Sequence, residues 1–191
     1  MTLEPVRLET PLSRKDIEPL RSGDVVRLSG VLYTARDAAH ARMKEAIEAG
    51  EPLPFDLEGQ VVYFTGPAPA RPGFALGPAG PTTASRMDPH SPMLVERGLR
   101  GMVGKGSRSE SVLEAMREHG CVYFGAVEGT AALLADCVKE ATVVDYEDLG
   151  AEAIRRLVVE DFPVVVVNDL HGGDLYKEGK ERWRRLKWCP L

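Results

Sequence analysis

The apolar positions of this chain follow two rhythms. In the second half, short apolar runs alternate with helix-forming stretches. The pattern predicts a strand at 121–127, a helix at 130–138, a strand at 141–145, a helix from Ala151, and a strand at 163–168 running into a hairpin-like Asn168-Asp169-Leu170-His171-Gly172-Gly173. The first half is richer in strand. Val6 to Leu8 opens one, and Ser13-Arg14-Lys15-Asp16 has the Ser-x-x-Asp form of a helix start before Ile17 and Leu20. Val25 to Tyr33 is rich in β-formers, with Gly30 marking a strand pair or a bulge. From Asp37 to Ala49 the helix formers run unbroken to a stop at Gly50. Thr34-Ala35-Arg36-Asp37 is therefore a strand-to-helix junction.

Val61 to Phe64 is apolar without alternation, the mark of a strand buried on both faces. The chain then changes character. From Gly66 to Pro81, nine of sixteen positions are Pro or Gly, which forbids a regular ladder or helix and leads directly into Thr82-Thr83-Ala84-Ser85-Arg86. Order returns at Ser91-Pro92, a cap followed by Pro at the first helical position, with a short helix ending at Gly98. Gly101 to Val103 reads as a brief strand and Gly104-Lys105-Gly106-Ser107 as a tight turn. Ser109 to His119 reads as a helix stopped by Gly120. The fold class this implies is α/β, with a β-rich first half, alternating strand and helix in the second, and parallel pairs in that second half.

Composition narrows the class without changing it. The 191 residues suit one core, and 43% hydrophobic with 28% charged residues is a globular balance. A net charge of −5 argues against a phosphate-neutralising surface, so no nucleic acid partner is expected. No stretch approaches membrane-spanning length and the N-terminus lacks an apolar leader core, so the cytoplasm is the expected location, with no membrane partner. Three scattered cysteines, Cys121, Cys137 and Cys189, support neither a disulfide framework nor a zinc site. The segment from Lys177 to Lys187 holds six basic and two acidic residues and reads as a solvated or docking helix within a basic tail, 177–191.

The candidate chemistry lies at junctions. Arg36, Arg86 and Lys105 each stand where a strand ends and a helix begins, the edge at which α/β folds bind ligands and at which helix amides favour anions. Three such cations suit a small polyanion, because a guanidinium fork matches a carboxylate. A phosphate loop is excluded, since Lys105 is followed by Gly106 and Leu99 stands where the first Gly belongs. A dinucleotide fingerprint is excluded because Gly104-x-Gly106 lacks the third Gly. Thr82 is either a helix cap sharing a face with Arg86 or a proton acceptor. The second role needs an activating neighbour, for which only Asp88 is near in sequence. None of His40, His90, His119 and His171 shows metal-ligand spacing, and only His40, one turn after Arg36, would share a site with the cations.

Three segments carry a resemblance: Tyr33-Thr34-Ala35-Arg36-Asp37-Ala38-Ala39-His40, Gly80-Pro81-Thr82-Thr83-Ala84-Ser85-Arg86-Met87-Asp88 and Met102-Val103-Gly104-Lys105-Gly106. They resemble, in order, the motifs of the class I (iron–sulfur) fumarate hydratase C-terminal domain, which is also the β subunit of two-subunit fumarases and of L-tartrate dehydratase. The likeness runs from about Thr10 to Tyr176 and makes 1–176 one domain of that type. One departure is Ala35, where the family commonly has Gly before Arg-Asp; it bears on local backbone geometry and not on the chemistry.

The resemblance implies a swivelling β/β/α domain. It implies a hydro-lyase whose 4Fe–4S cluster sits on the partner α subunit, with no metal held by this chain. Arg36, Arg86 and Lys105 would bind the carboxylates of a small dicarboxylate, with His40 beside them. Thr82 would be the catalytic base, activated by a carboxylate from the partner, although Thr83 stays open for that role. The expected assembly is a hetero-oligomer with the α subunit, α2β2 among its possible forms. The expected reaction is fumarate hydration, with L-tartrate dehydration and a non-catalytic anion-binding regulatory domain as alternatives. The three cysteines lie outside the motif loops and read as core filler or surface thiols.

Overall fold

The computed structural model describes residues 4–184. Its strands are β1 (Val6–Glu9), β2 (Val25–Thr34), β3 (Val61–Tyr63), β4 (Gly101–Gly104), β5 (Val122–Gly125), β6 (Val138–Asp145) and β7 (Ile154–Asn168). Its helices are α1 (Arg14–Ile17), α2 (Asp37–Ala49), α3 (Ser91–Glu96), α4 (Glu110–His119), α5 (Ala131–Asp136) and α6 (Leu175–Trp183). One sheet runs in the order β1-β2-β3-β4-β5-β7-β6, and β7 also pairs with β2. That additional pairing closes β2, β3, β4, β5 and β7 into a ring, because the fifteen residues of β7 reach β2 along one side and β5 and β6 along the other.

Closure produces two cores. Val61, Tyr63, Val122 and Phe124 turn inward with Leu28, Leu32, Leu157 and Phe162, while Val62, Phe64, Met102 and Tyr123 turn outward beneath helices. Neighbouring residues point to opposite faces, so a strand that is apolar without alternation feeds both cores at once. The helical layer supplies Ala39, Met43 and Ala46 from α2 and Val112, Leu113 and Met116 from α4. Each fully buried large side chain contributes about 1.5–3 kcal/mol. The result is the α/β class with β/β/α layering. Gly50 and Gly120 terminate α2 and α4 in the left-handed conformation, at φ 71° and 79°.

Two expectations are corrected. Residues from Ala151 onward do not form a helix: a 3₁₀ turn over Glu147–Glu152 leads straight into β7. The β-branched run from Ile154 to Val167 has the inside-outside alternation of a long strand, with Ile154, Leu157, Val159, Phe162 and Val164 buried. Without a crossover helix, β6 and β7 pair antiparallel, whereas the parallel pairs are β1–β2, β2–β3, β3–β4 and β4–β5. The parallel part of the sheet therefore reaches well into the first half of the chain. At the C-terminus, α6 is continuous across residues 176 and 177, and the Ser22 hydroxyl donates to Glu178 at 2.7 Å. The remainder of the basic tail, 185–191 with Cys189, lies outside the described residues. No helix among the described residues is long and apolar enough to cross a membrane.

The Pro/Gly segment is an excursion tied at both ends. Thr82 N–H donates to Phe64 O at 2.7 Å, the Thr65 hydroxyl to Gly80 O at 2.8 Å, and the buried Tyr63 hydroxyl to Ala79 O at 2.6 Å. Removing the last of these strands a buried carbonyl. Tyr63→Phe is expected to lower unfolding stability by about 1–3 kcal/mol in urea titrations. An unchanged midpoint would show that the excursion holds itself without this tie.

Candidate functional site

β2, β3 and β4 lie side by side and parallel, so their carboxyl ends open on one edge. The first delivers Ala35 and Arg36, the last Lys105. The middle strand delivers Phe64, to whose carbonyl Thr82 returns after the Pro/Gly excursion. Thr82 and Lys105 are then joined directly. Lys105 N–H donates to Thr82 O at 3.2 Å, and Ala84 N–H donates to Lys105 O at 2.8 Å, making a short parallel bridge between Thr83 and Lys105. The three motif loops thus meet at a single edge.

Thr82 does not cap a helix. The 3₁₀ turn Ala84–Met87 has Thr83 at its cap position, in extended backbone and without a side-chain bond. Thr82 is half-buried and Thr83 exposed. Gly106 follows Lys105 at φ 84°, a conformation favouring Gly. It is held by the Tyr123 hydroxyl donating to its carbonyl at 3.0 Å and by its own N–H donating to the Tyr176 oxygen at 3.2 Å.

Two carboxylates that sequence reasoning did not single out organise the cations. Arg86 Nε lies 2.8 Å from Asp37 Oδ1, and Arg36 Nη2 lies 3.6 Å from Asp37 Oδ2, so the first residue of α2 stands between both guanidiniums. Arg36 Nη2 is also 3.4 Å from Glu152, whose other oxygen accepts from Ala38 N–H at 3.0 Å. These are ion-pair distances for Arg36, not hydrogen bonds, and its Nε is buried without a hydrogen-bond partner. Gly66 leaves room for this side chain, since a Cβ there would stand 3.0 Å from Arg36 Nη1. Asp37 was legible inside the first motif. Glu152 was not, because it reaches α2 from 114 positions away.

His40 lies beneath the site and presents no surface to a ligand. It is fully buried, packs edge-on to Phe64 at 5.4 Å, and its Nδ1–H donates to Arg36 O at 2.8 Å. The carbonyl cannot donate, so Nδ1 carries the proton, and Nε2 is left without a partner. Its role here is to hold the backbone of Arg36. Asp88 is likewise committed elsewhere. Its two oxygens accept from Arg108 Nε and Ser109 N–H, both at 2.7 Å. Arg108 is wholly buried between the rings of Phe64 and Tyr123 and also donates to the Ser91 hydroxyl at 2.6 Å. With both oxygens occupied, Asp88 is not the neighbour that would activate Thr82.

The described residues do not fit an iron–sulfur cluster. No group of three or more His, Cys, Asp or Glu side chains among them is placed to hold a metal ion. Cys121 is buried just before β5, where desolvation pushes its thiol up to about 12, and Cys137 caps α5.

Residues 2–179 match the family described as the fumarase C-terminus. The chain belongs to this family. It is 40% identical over 177 residues to fumarate hydratase 2 of Leishmania major, covering 91% of this chain and 31% of that protein. Against the aerobic class I fumarate hydratase of Escherichia coli strain K12 it is 40% identical over 153 residues, 79% of this chain and 28% of that protein. It is 38% identical over 173 residues to a Methanocaldococcus jannaschii chain provisionally named as an L(+)-tartrate dehydratase β subunit, covering 87% of this chain and 89% of that one. This chain thus spans roughly a third of those fumarate hydratases and most of the Methanocaldococcus jannaschii chain.

The burial of His40 has a measurable sign. Desolvation lowers its pKa from 6.5 to about 4. Between those values the unfolded chain binds a proton at this imidazole and the folded chain does not. Stability therefore falls as pH drops through that window and levels off below it, a loss of roughly 3 kcal/mol. Denaturant titrations at pH 7 and pH 4 should show a smaller acid loss for His40→Leu than for the wild type. Equal losses would mean that His40 titrates as a solvated imidazole.

Proposed function

We propose that this chain is the β subunit of an iron–sulfur hydro-lyase of the fumarate hydratase class, active only with an α subunit that holds the 4Fe–4S cluster. The observation that carries the reading is the meeting of Arg36, Thr82, Arg86 and Lys105 at the carboxyl ends of three adjacent parallel strands. Three cations at one edge suit a small dicarboxylate, because two carboxylates can each be held by charge-assisted hydrogen bonds worth about 1.5–3 kcal/mol. The cytoplasm, as a reducing compartment, suits Cys121 and Cys137, both free among the described residues.

In this reading Arg36, Arg86 and Lys105 bind and orient the two carboxylates. The Thr82 hydroxyl moves the proton at the carbon beside one of them: it donates when fumarate is hydrated to L-malate and accepts in the reverse direction. A free threonine is a poor base, and Asp88 is occupied by Arg108 and Ser109; in this reading, following the family resemblance, the activating carboxylate comes from the partner subunit. Fixing both ends of a rigid dicarboxylate places its reacting carbons against that hydroxyl, which is where binding energy becomes rate. L-tartrate dehydration is the second reading. It is favoured by the match over 89% of a chain provisionally named as a tartrate dehydratase β subunit.

The test is anaerobic co-production with the α subunit, followed by assays of fumarate and L-tartrate side by side. Fumarate turnover by the complex and none by this chain alone is expected. Full activity of the isolated chain would overturn the two-subunit reading, and inactivity of a cluster-loaded complex on both substrates would leave the anion-binding alternative. Within an active complex, Thr82→Ala should lower kcat by about 10²–10⁴-fold with little change in KM. Arg86→Lys should raise KM on the order of tenfold, because an ammonium cannot copy a planar fork. Wild-type kinetics in both variants would remove these residues from the site.

A further inference from the structure

We propose that Asp37 is the positioning residue for Arg86: it grips the Nε edge of the guanidinium and thereby aims the two terminal nitrogens outward as a carboxylate fork. The inference rests on the proposed dicarboxylate site and adds a residue that neither the motif reading nor the family match assigns.

The geometry is specific. Arg86 is half-exposed and sits in a single 3₁₀ turn, Ala84–Met87, so little packing restrains its long, rotamer-rich side chain. Its Nε nonetheless stands at ion-pair distance, 2.8 Å, from Asp37 Oδ1. The ion pair is made at the Nε edge, and the two terminal nitrogens are the end that can take a carboxylate through two parallel bonds. Asp37 can serve as an anchor because it is itself held. It is the first residue of α2, where a carboxylate is favoured by the helix amides, and its Oδ2, buried without a hydrogen-bond partner, lies at an ion-pair distance of 3.6 Å from Arg36 Nη2. Arg36 in turn is held by Glu152 and, through its carbonyl, by His40.

One carboxylate between two guanidiniums also sets their separation. The spacing that a dicarboxylate must match is thus built from a side chain on α2 rather than from the flexible Arg86 alone. A guanidinium pinned in advance loses less freedom when it binds, so the consequence falls on affinity more than on the chemical step.

The experiment separates anchoring from charge. Asp37→Asn keeps an oxygen that can accept from Arg86 Nε and removes the negative charge, whereas Asp37→Ala and Asp37→Ser cannot reach it. Ser, a favourable residue at a helix start, carries the test if the Ala variant folds poorly. The first readout is the side-chain Nε–H resonance of Arg86 in the ¹⁵N-labelled full chain, assigned by its loss in Arg86→Lys. A protected signal is expected in the wild type and Asp37→Asn, and a solvent-exchanged one in Asp37→Ala and Asp37→Ser. The second readout is kinetic, in the complex with the α subunit. Asp37→Ala and Asp37→Ser should raise KM for the dicarboxylate about tenfold or more with kcat within about threefold, and Asp37→Asn should stay near the wild-type KM. A protected Arg86 signal in Asp37→Ala or Asp37→Ser would overturn the proposal, as would a KM in Asp37→Asn as poor as theirs. An inactive wild-type complex would instead overturn the function itself, while the resonance would still decide whether Asp37 anchors Arg86.

Discussion

The site depends on a single closure: the hydrogen bond from Thr82 N–H to Phe64 O, which brings a Pro/Gly-rich excursion back to the strand end it left. Prolines lack an N–H, so the excursion builds no regular ladder; it closes on itself where Ala68 N–H donates to Pro78 O and is tied to the sheet through Tyr63, Thr65 and Phe64. Once Thr82 is fixed there, Lys105 at the end of β4 pairs with it across the neighbouring strand position, and Arg36 is already waiting at the end of β2. Ring closure by β7 makes the strands rigid enough for this to hold, since β2 and β5 are both tied to the same long partner.

Electrostatically, the edge is organised from below and from the side. Arg108, wholly buried, is matched by Asp88 and sandwiched by Phe64 and Tyr123, so a charge that would be costly alone becomes a fixed post under the second and third loops. Neutral His40 lies under the first. Half-buried Arg36 and exposed Arg86 are flanked by Asp37 and Glu152 at ion-pair distances. The pairing is complete around Arg108 and incomplete around Arg36, where Arg36 Nε, Asp37 Oδ2 and His40 Nε2 are buried without hydrogen-bond partners.

Much of this was legible along the chain and some was not. α2 and α4 announced themselves by helix formers ending at Gly50 and Gly120, and β3 by its unbroken apolar run. The motif loops were recognisable because their chemistry is local, with Arg36 and Asp37 adjacent and Thr82 four residues from Arg86. The segment after Ala151 was misread because its polar residues alternate around Ile154 and Leu157 in a way that a short window cannot assign. Only pairing with β2 and β6 over nearly its whole length makes it one strand. His40 was placed among the ligand-facing residues on helical spacing alone, and the same spacing turns it into the core, where Phe64 and the Arg36 carbonyl enclose it.

The sequence by itself determined the fold class, the three loops and the family, because these rest on local propensity and contiguous motifs. Tertiary structure alone decided that Asp88 is occupied, that His40 is buried, and that Glu152 and Asp37 hold the cations. Those facts rest on contacts between residues 20 to 114 positions apart or on the face a side chain turns to, and no local pattern encodes either. The physical reason is that closing a sheet into a ring sets depth and direction for every side chain at once. A charge read as free in the chain becomes, in the fold, either a buried post or an open fork.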